Sequence, residues 1–211
     1  MPIHFFERAQ LHASPWKNGG GVTREIACHP PQAGMQNFDW RISIAHIARD
    51  GDFSVFAGVD RVITLLEGGG VQLSSADGSA DDSVLHSLDT PLRPFAFSGD
   101  AAVHGRLLNG DCHDFNVMTR RGVCQAEVRV LRRHETLLSA PAGLLMAIRG
   151  TWQVQADGTD TDSDTASPQQ HALWPQTGLW WHDDTLACQC RCVDSDPNAA
   201  LLAVRFTPSP H

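Results

Sequence analysis

Two arginines lie in segments whose pattern predicts apolar β-strands, and they are the residues best placed to bind a ligand. Side chains alternate across a strand, so a run with one apolar face predicts a half-buried strand. In residues 40–46 one face is apolar, whereas the other carries Arg41. Arg61 immediately precedes the apolar run Val62–Leu66. A guanidinium keeps its charge and has five donors, so its burial requires acceptors. The two arginines therefore predict a site for an anion or a carboxylate side chain.

Polar residues elsewhere in the chain are candidates for the same site. The predicted strand Asp114–Thr119 places Asp114, Asn116 and Met118 on one face, and the predicted strand Val22–Cys28 contains an acid. Arginine forks match carboxylates, and asparagine amides can orient a formyl or amide group. The candidate ligand-binding residues are Lys17, Asn18, Glu25, Arg41, Asp60, Arg61, Asp114 and Asn116.

A purely structural role for the two arginines stays open. Arg41 and Arg61 could pair with Glu25, Asp60 or Asp114 and only brace the fold, because structural ion-pair networks also concentrate charge in protein cores.

The composition predicts a globular protein. The chain has 211 residues, of which 42% are hydrophobic and 19% charged. The net charge is −8 and no basic patch is evident, which argues against nucleic acid as a partner. Neither a signal peptide nor a membrane-spanning run is visible, so we expect a soluble, cytoplasmic protein with no membrane partner.

Short predicted strands and glycine turns dominate the chain. We count about a dozen strands and no convincing long amphipathic helix, which is the pattern of an all-β barrel or sandwich. The similar cadence of the two halves predicts two β units, with a boundary near Arg121–Ala126.

Two sets of residues could be mistaken for metal sites. Cys188, Cys190 and Cys192 would lie on one face of a strand, and we favour core packing over zinc binding because free cysteines are usually buried. An acidic run resembles a calcium loop, but it lacks the required glycine and the bidentate glutamate, so we reject that interpretation. Its acids are Asp160, Asp162 and Asp164.

Five segments, in order over roughly the first 120 residues, resemble the HutD/Ves family. They are WKNGGGVTREIA (16–27), DWRISIA (39–45), FAGVDR (56–61), PFAFSGD (94–100) and DFNVMTRR (114–121). The resemblance implies a bicupin, with two double-stranded β-helix (jelly-roll-like) barrels spanning residues 1–121 and 122–211. It also implies a bacterial protein linked to histidine utilisation, with no firmly established catalytic activity and a proposed regulatory role in sensing an intermediate such as N-formylglutamate.

The resemblance to cupins does not extend to a metal site. Metal-dependent cupins carry a His-x-His pair, a carboxylate and a later histidine. The corresponding region, Val55–Leu73, contains no histidine, and only His104 and His113 lie near the second position. We therefore expect neither a metal nor another cofactor.

Three hypotheses follow. The favoured one is a protein that binds a small anionic metabolite in its N-terminal unit. The second is a metal-independent isomerase or hydrolase with Asp114 or Glu25 as the base. The third is a structural bicupin without a ligand. Edge strands of bicupins often pair, so a homodimer is also compatible with the resemblance.

Overall fold

The structure, a computed structural model, describes residues 3–75, 83–158 and 169–210. These residues form strands and a single turn of 3-10 helix at Arg8–Gln10, without an α-helix. The strands are β1 (Ile3–Glu7), β2 (Ala13–Pro15), β3 (Gly21–His29), β4 (Trp40–Ile47), β5 (Gly51–Asp52), β6 (Val59–Gly68), β7 (Val71–Ser75), β8 (Leu85–Leu88), β9 (Phe95–Ser98), β10 (Val103–Leu107), β11 (Cys112–Arg120), β12 (Cys124–Leu131), β13 (His134–Ala140), β14 (Ala142–Arg149), β15 (Trp152–Gly158), β16 (Gln169–Leu173), β17 (Thr177–Trp181), β18 (Leu186–Cys192) and β19 (Ala200–Pro208).

The chain divides into two units that are not simple halves of the sequence. The first unit contains residues 11–125 and 208–210, and the second contains residues 3–10 and 126–207. The N-terminal strand β1 belongs to the second unit because it pairs antiparallel with β17. The division into an N-terminal cupin-like barrel at residues 1–121 and a C-terminal one at residues 122–211 stays a prediction.

Two sheets make up the first unit. One has the strand order β2-β3-β4-β11-β6-β9, and the other has the order β5-β10-β7-β8. Residues from both sheets share one apolar core, which includes Ile63 and Leu65 from the first sheet and Val71, Leu73 and Val103 from the second. The two sheets therefore pack with this core between them, and we call the face of the six-stranded sheet that contributes to it the inner face.

Two central strands, β4 and β11, carry several of the polar residues of the inner face. β4 and β11 are paired along their length, and nearly all their residues are buried. Because side chains alternate along each strand, the pairing places Arg41 and Ser43 of β4 on the same face as Asn116 and Asp114 of β11. The fold thus encloses charged and amide groups beside an apolar core.

The second unit also has two sheets, with the orders β1-β17-β14-β19-β12 and β13-β18-β15-β16. Its core is apolar and is built around Trp152 and Trp181, which are fully buried. Both indole N–H groups donate to backbone carbonyls, at Arg149 and Ala140 respectively, so neither ring buries an unpaired donor.

The prediction of an all-β fold is confirmed. The finer prediction of two barrels is not confirmed, because each sheet in the described residues is open and has two edge strands. No helix in this part of the chain is long and apolar enough to cross a membrane. The rejected calcium loop at 160–164 lies outside the described residues.

Candidate functional site

The strand register arranges the polar side chains of the inner face in rows. Met118 pairs with Arg41 on one side and with Arg61 on the other, so both arginines lie in one row. They are two strands apart, which puts their Cα atoms about 10 Å from each other. Both side chains are on the same face, and burial, with a smaller effect of the positive charge of Arg41, lowers the pKa of Arg61. The first row therefore holds two cations that influence each other.

The next rows carry an amide and an acid. Asn116 pairs with Ser43 of β4 and Ile63 of β6, and Asp114 pairs with Ala45 and Leu65. Since residues of one face are two positions apart, each row lies about 6.6 Å from the previous one.

Arg61 is buried among aromatic rings. It is 5% exposed, and its guanidinium carbon lies 5.4, 5.6 and 4.9 Å from the ring centroids of Phe53, Phe56 and Phe97. One terminal nitrogen donates to the carbonyl of Ser54 at 3.4 Å, whereas Nε has no acceptor in the described structure. Burial lowers the pKa of Arg61 to about 10, so the side chain stays charged at neutral pH. The rings confine this cation without neutralising it.

Asp114 is fully buried and has no hydrogen-bonding partner in the described part of the chain, at either carboxylate oxygen. Burial in apolar surroundings disfavours the charged form and raises the pKa of Asp114 to about 7, although the positive charge of Arg61 opposes this effect. An acid that titrates near neutral pH can hold or release a proton under ordinary conditions.

Arg41 forms the ion pair that the structural interpretation predicted. Its Nε donates to Glu25 Oε2 at 2.6 Å. The arginine side chain is 10% exposed and that of the glutamate is 45% exposed, so the pair runs from the buried face to its rim. A half-exposed pair is worth at most about 1 kcal/mol. The contact positions Arg41, while the side chain of Glu25 remains accessible to water.

Unpaired polar atoms collect on this face. Arg61 Nε, both oxygens of Asp114 and Asn116 Oδ1 are all buried and lack partners within the described residues. Buried polar atoms are almost always paired with protein groups or ordered water. Four such atoms on one face, beside two arginines, therefore make this face the candidate binding site.

The structure brings five of the predicted residues together and places three elsewhere. Glu25, Arg41, Arg61, Asp114 and Asn116 share the inner face. The other three are exposed and are not part of this buried group. They are Lys17, Asn18 and Asp60.

The three exposed residues have local roles. Asn18 Oδ1 accepts from the backbone N–H of Gly20 at 2.9 Å, which closes the turn that also contains Lys17. Asp60 accepts from Arg121 Nε at 2.6 Å, and Arg121 also contacts Asp100. Asp60 thus belongs to an exposed ion-pair network, because neighbouring residues of a strand point to opposite faces.

Sequence reasoning missed the aromatic surroundings of Arg61. Phe97 pairs with Arg61 across β9 and β6, so it lies on the inner face, and Phe53 and Phe56 reach the guanidinium from the segment between β5 and β6. The only available signal was that the motif segments 56–61 and 94–100 contain phenylalanines close to charged residues.

The two histidines nearest the expected cupin metal position contact other side chains, and two of the three alternating cysteines lie in a core. His104 Nδ1 lies 2.7 Å from Asp52, and His113 stacks on His46 with ring centroids 4.5 Å apart. Cys188 and Cys190 are buried in the core of the second unit. The core-packing interpretation of these two cysteines is confirmed.

Comparison with known proteins identifies the family. The family model HutD matches residues 8–196. Protein Ves of Escherichia fergusonii is 42% identical over 161 residues, which is 76% of this chain and 80% of that protein. The structure of HutD from Pseudomonas fluorescens SBW25 has a TM-score of 0.75 at 27% identity and covers 99% of this chain and 100% of its own.

More distant structures share only the fold. An oxalate decarboxylase from Lactobacillus farciminis has a TM-score of 0.64 at 7% identity, covering 98% of this chain and 86% of its own. The fold is therefore all-β with cupin-like neighbours. The match to the family model and the similarity to protein Ves show that the chain belongs to the HutD family.

Proposed function

We propose that the inner face of the first unit binds a small anionic metabolite, a dicarboxylate or formylated amino acid of histidine breakdown such as N-formylglutamate. In this proposal the protein has a regulatory role in histidine utilisation and works in the cytoplasm. The observation that carries the proposal is the pair of buried arginines beside four unpaired polar atoms.

Arg61 supplies the main attraction for the anion. It has no carboxylate within ion-pair distance among the described residues, and its Nε has no acceptor. A bound carboxylate would provide that acceptor, and a charge-assisted hydrogen bond contributes roughly 1.5–3 kcal/mol. Since the phenyl rings already hold the side chain, little conformational entropy is lost on binding.

Arg41 and Asn116 would complete the site. Arg41 can turn its remaining N–H groups to a second carboxylate while Nε stays on Glu25. Asn116 carries both a donor and an acceptor, and its unpaired Oδ1 suits an N–H or O–H of the ligand. This combination favours a ligand with two acidic groups and an amide over a simple inorganic anion.

Family membership supports the biological setting of the proposal. The matching family model is named HutD, and the HutD structure from Pseudomonas fluorescens was determined in a formate condition. Formate is accordingly a suitable minimal probe. We also propose that both units are cupin barrels, which would make the chain a bicupin, because the cupin-like neighbours cover almost its whole length.

A second candidate function is catalysis, which the pKa of Asp114 favours. General bases work best when their pKa lies near the working pH, and burial raises the pKa of Asp114 to about 7. In this alternative Asp114 would remove a proton from the ligand bound to Arg61. The two functions differ in whether the ligand is chemically changed.

Isothermal titration calorimetry tests the proposed function. N-formyl-L-glutamate, glutarate and formate are the probes, and the dimethyl ester of N-formyl-L-glutamate is the matched uncharged control. We expect saturable binding of N-formyl-L-glutamate and none of the ester. Equal heats for the two compounds, or no heat with any anion, would remove the proposal. Product analysis after prolonged incubation decides between binding and catalysis, because only an enzyme would convert the probe.

A further inference from the structure

We propose that Asp114 takes up one proton when a carboxylate anion binds beside Arg61, so that the site binds its ligand more tightly as the pH falls. The inference rests on the proposed function and concerns the regulation of that same site. It would make the protein respond to pH as well as to ligand concentration.

Within the described residues, no group that normally stabilises a carboxylate contacts Asp114. Its oxygens are buried and accept no hydrogen bond from the described residues, and its neighbours across the strands are Ala45 and Leu65. Arg61 is on the same face but two rows away, and no ion pair joins the two among the described residues. The ionised form of Asp114 therefore depends on the field of a cation that does not contact it.

Anion binding would remove that field. The charge of Arg61 lowers the pKa of Asp114, whereas burial raises it, and the balance leaves the pKa at about 7. A carboxylate bound beside Arg61 brings a negative charge that offsets the field of the guanidinium at Asp114. This change favours the neutral acid. The pKa of Asp114 must then be higher in the complex, and above pH 7 binding draws one proton from solvent to form the O–H bond.

Other titratable groups near this face do not account for the same effect. Arg41 and Glu25 are paired with each other, and burial raises the pKa of Cys112 to about 12. From the facing sheet, His86 of β8 stacks on Phe95 with ring centroids 3.7 Å apart. The remaining core residues of that sheet are apolar. His86 is thus the one nearby described group that needs a control.

The sign and size of the pH effect follow from linkage. Well below pH 7 Asp114 is already protonated in the free protein, so it gives the ligand affinity no pH dependence in that range. Above pH 7 the ionised acid must be protonated on binding, and affinity falls by up to about tenfold per pH unit. Between pH 6 and pH 8.5 we expect the dissociation constant to rise about ten- to thirtyfold. The carboxylates of the probe stay ionised throughout this range.

Calorimetry in two buffers measures the proton directly. N-formyl-L-glutamate is titrated at pH 7.5 in imidazole and in Tris, two buffers without an anionic form whose ionisation enthalpies differ, and again at pH 6 and pH 8.5. We expect uptake of about 0.8 proton per anion at pH 7.5. Asp114→Asn should bind the ligand with no proton uptake and with a pH-independent dissociation constant. Asp114→Ser, the second variant, should do the same. His86→Gln should behave like the wild type.

The outcomes separate this inference from the function on which it rests. Binding by the wild type with the same heat in both buffers and the same affinity at pH 6 and pH 8.5 overturns the inference alone. Undiminished proton uptake in the Asp114 variants, or its loss in His86→Gln, also overturns it. Absence of binding by any anion removes the proposed function and this inference together.

Discussion

Arg61 and Asp114 lie on the same face of adjacent strands, yet no ion pair joins them within the described structure. Their register places them two rows apart, with the row of Asn116 between, so their Cα atoms are about 14 Å from each other. The cation and the acid thus influence each other through space without contact. This separation leaves both groups available to a ligand.

The stability of the protein should reveal the buried acid. Burial raises the pKa of Asp114 to about 7 in the folded state, above its usual value of 3.8, so the stability present at low pH is lost as the pH rises towards 7. Asp114→Asn lacks this titration. As the pH rises from 5 to 8, the free energy of unfolding of the wild type should therefore fall by about 2–3 kcal/mol relative to that of Asp114→Asn. Urea denaturation at both pH values measures it, and parallel pH profiles would show that Asp114 is not buried in this way.

Glu25 should compete with the ligand for Arg41. Glu25→Gln keeps the size of the side chain but removes the negative charge that lies 2.6 Å from Arg41 Nε. We expect anion affinity to rise about three- to tenfold, while the free energy of unfolding changes by less than about 1 kcal/mol because the pair is half exposed. Titration calorimetry and thermal melts test both points. Weaker binding would instead mean that Glu25 holds Arg41 in its binding geometry.

Asp60 should have no part in ligand binding. Its carboxylate accepts from Arg121 at the surface. Asp60→Asn should leave the affinity for N-formyl-L-glutamate within about twofold and change the free energy of unfolding by less than about 1 kcal/mol. A change in affinity of more than fivefold would place Asp60 in the site, against its position in the structure.

The two buried thiols of the second unit should be unreactive. Cys188 and Cys190 are fully buried, and burial raises the pKa of Cys190, so the reactive thiolate is scarce. Both should resist a disulfide reagent such as DTNB in the folded protein and react only in urea. Elemental analysis should find no stoichiometric zinc. Rapid labelling of Cys188 or Cys190 in the native protein, located by peptide mass spectrometry, or one bound zinc per chain, would overturn the core-packing interpretation.

The sequence was sufficient to assign faces within a strand. The alternation in residues 40–46 and 114–119 separates Arg41, Asp114 and Asn116 from the apolar face, and the structure has the same division. The same periodicity argues against placing Asp60 in the site, since Asp60 is adjacent to Arg61 in the strand and must point to the opposite face. Its inclusion among the candidates came from proximity in the chain alone.

Contacts between distant segments could not be predicted. β1 pairs with β17, which lies about 170 residues later in the sequence, and nothing in the local pattern of Ile3–Glu7 specifies that partner. Phe53 and Phe56 reach Arg61 from an irregular segment, where no period fixes side-chain direction. Short strands such as β2 and β5 show too few alternations to recognise, so about a dozen strands were predicted where the described chain has nineteen.

The central claim is that Arg61 is buried to bind an anion rather than to brace the fold, and Arg61→Met tests it most directly. Methionine suits the aromatic surroundings and removes the charge, with Arg106→Met as a control because Arg106 is exposed in the same unit. Burying a charge without an ion-pair partner costs free energy, so its replacement by an apolar residue of similar size should be neutral or stabilising. We expect calorimetry to show at least about tenfold weaker binding of N-formyl-L-glutamate to Arg61→Met, with an unchanged or higher melting temperature and wild-type behaviour of the control. A marked fall in melting temperature, together with no binding by the wild type, would contradict the claim and make Arg61 a structural residue.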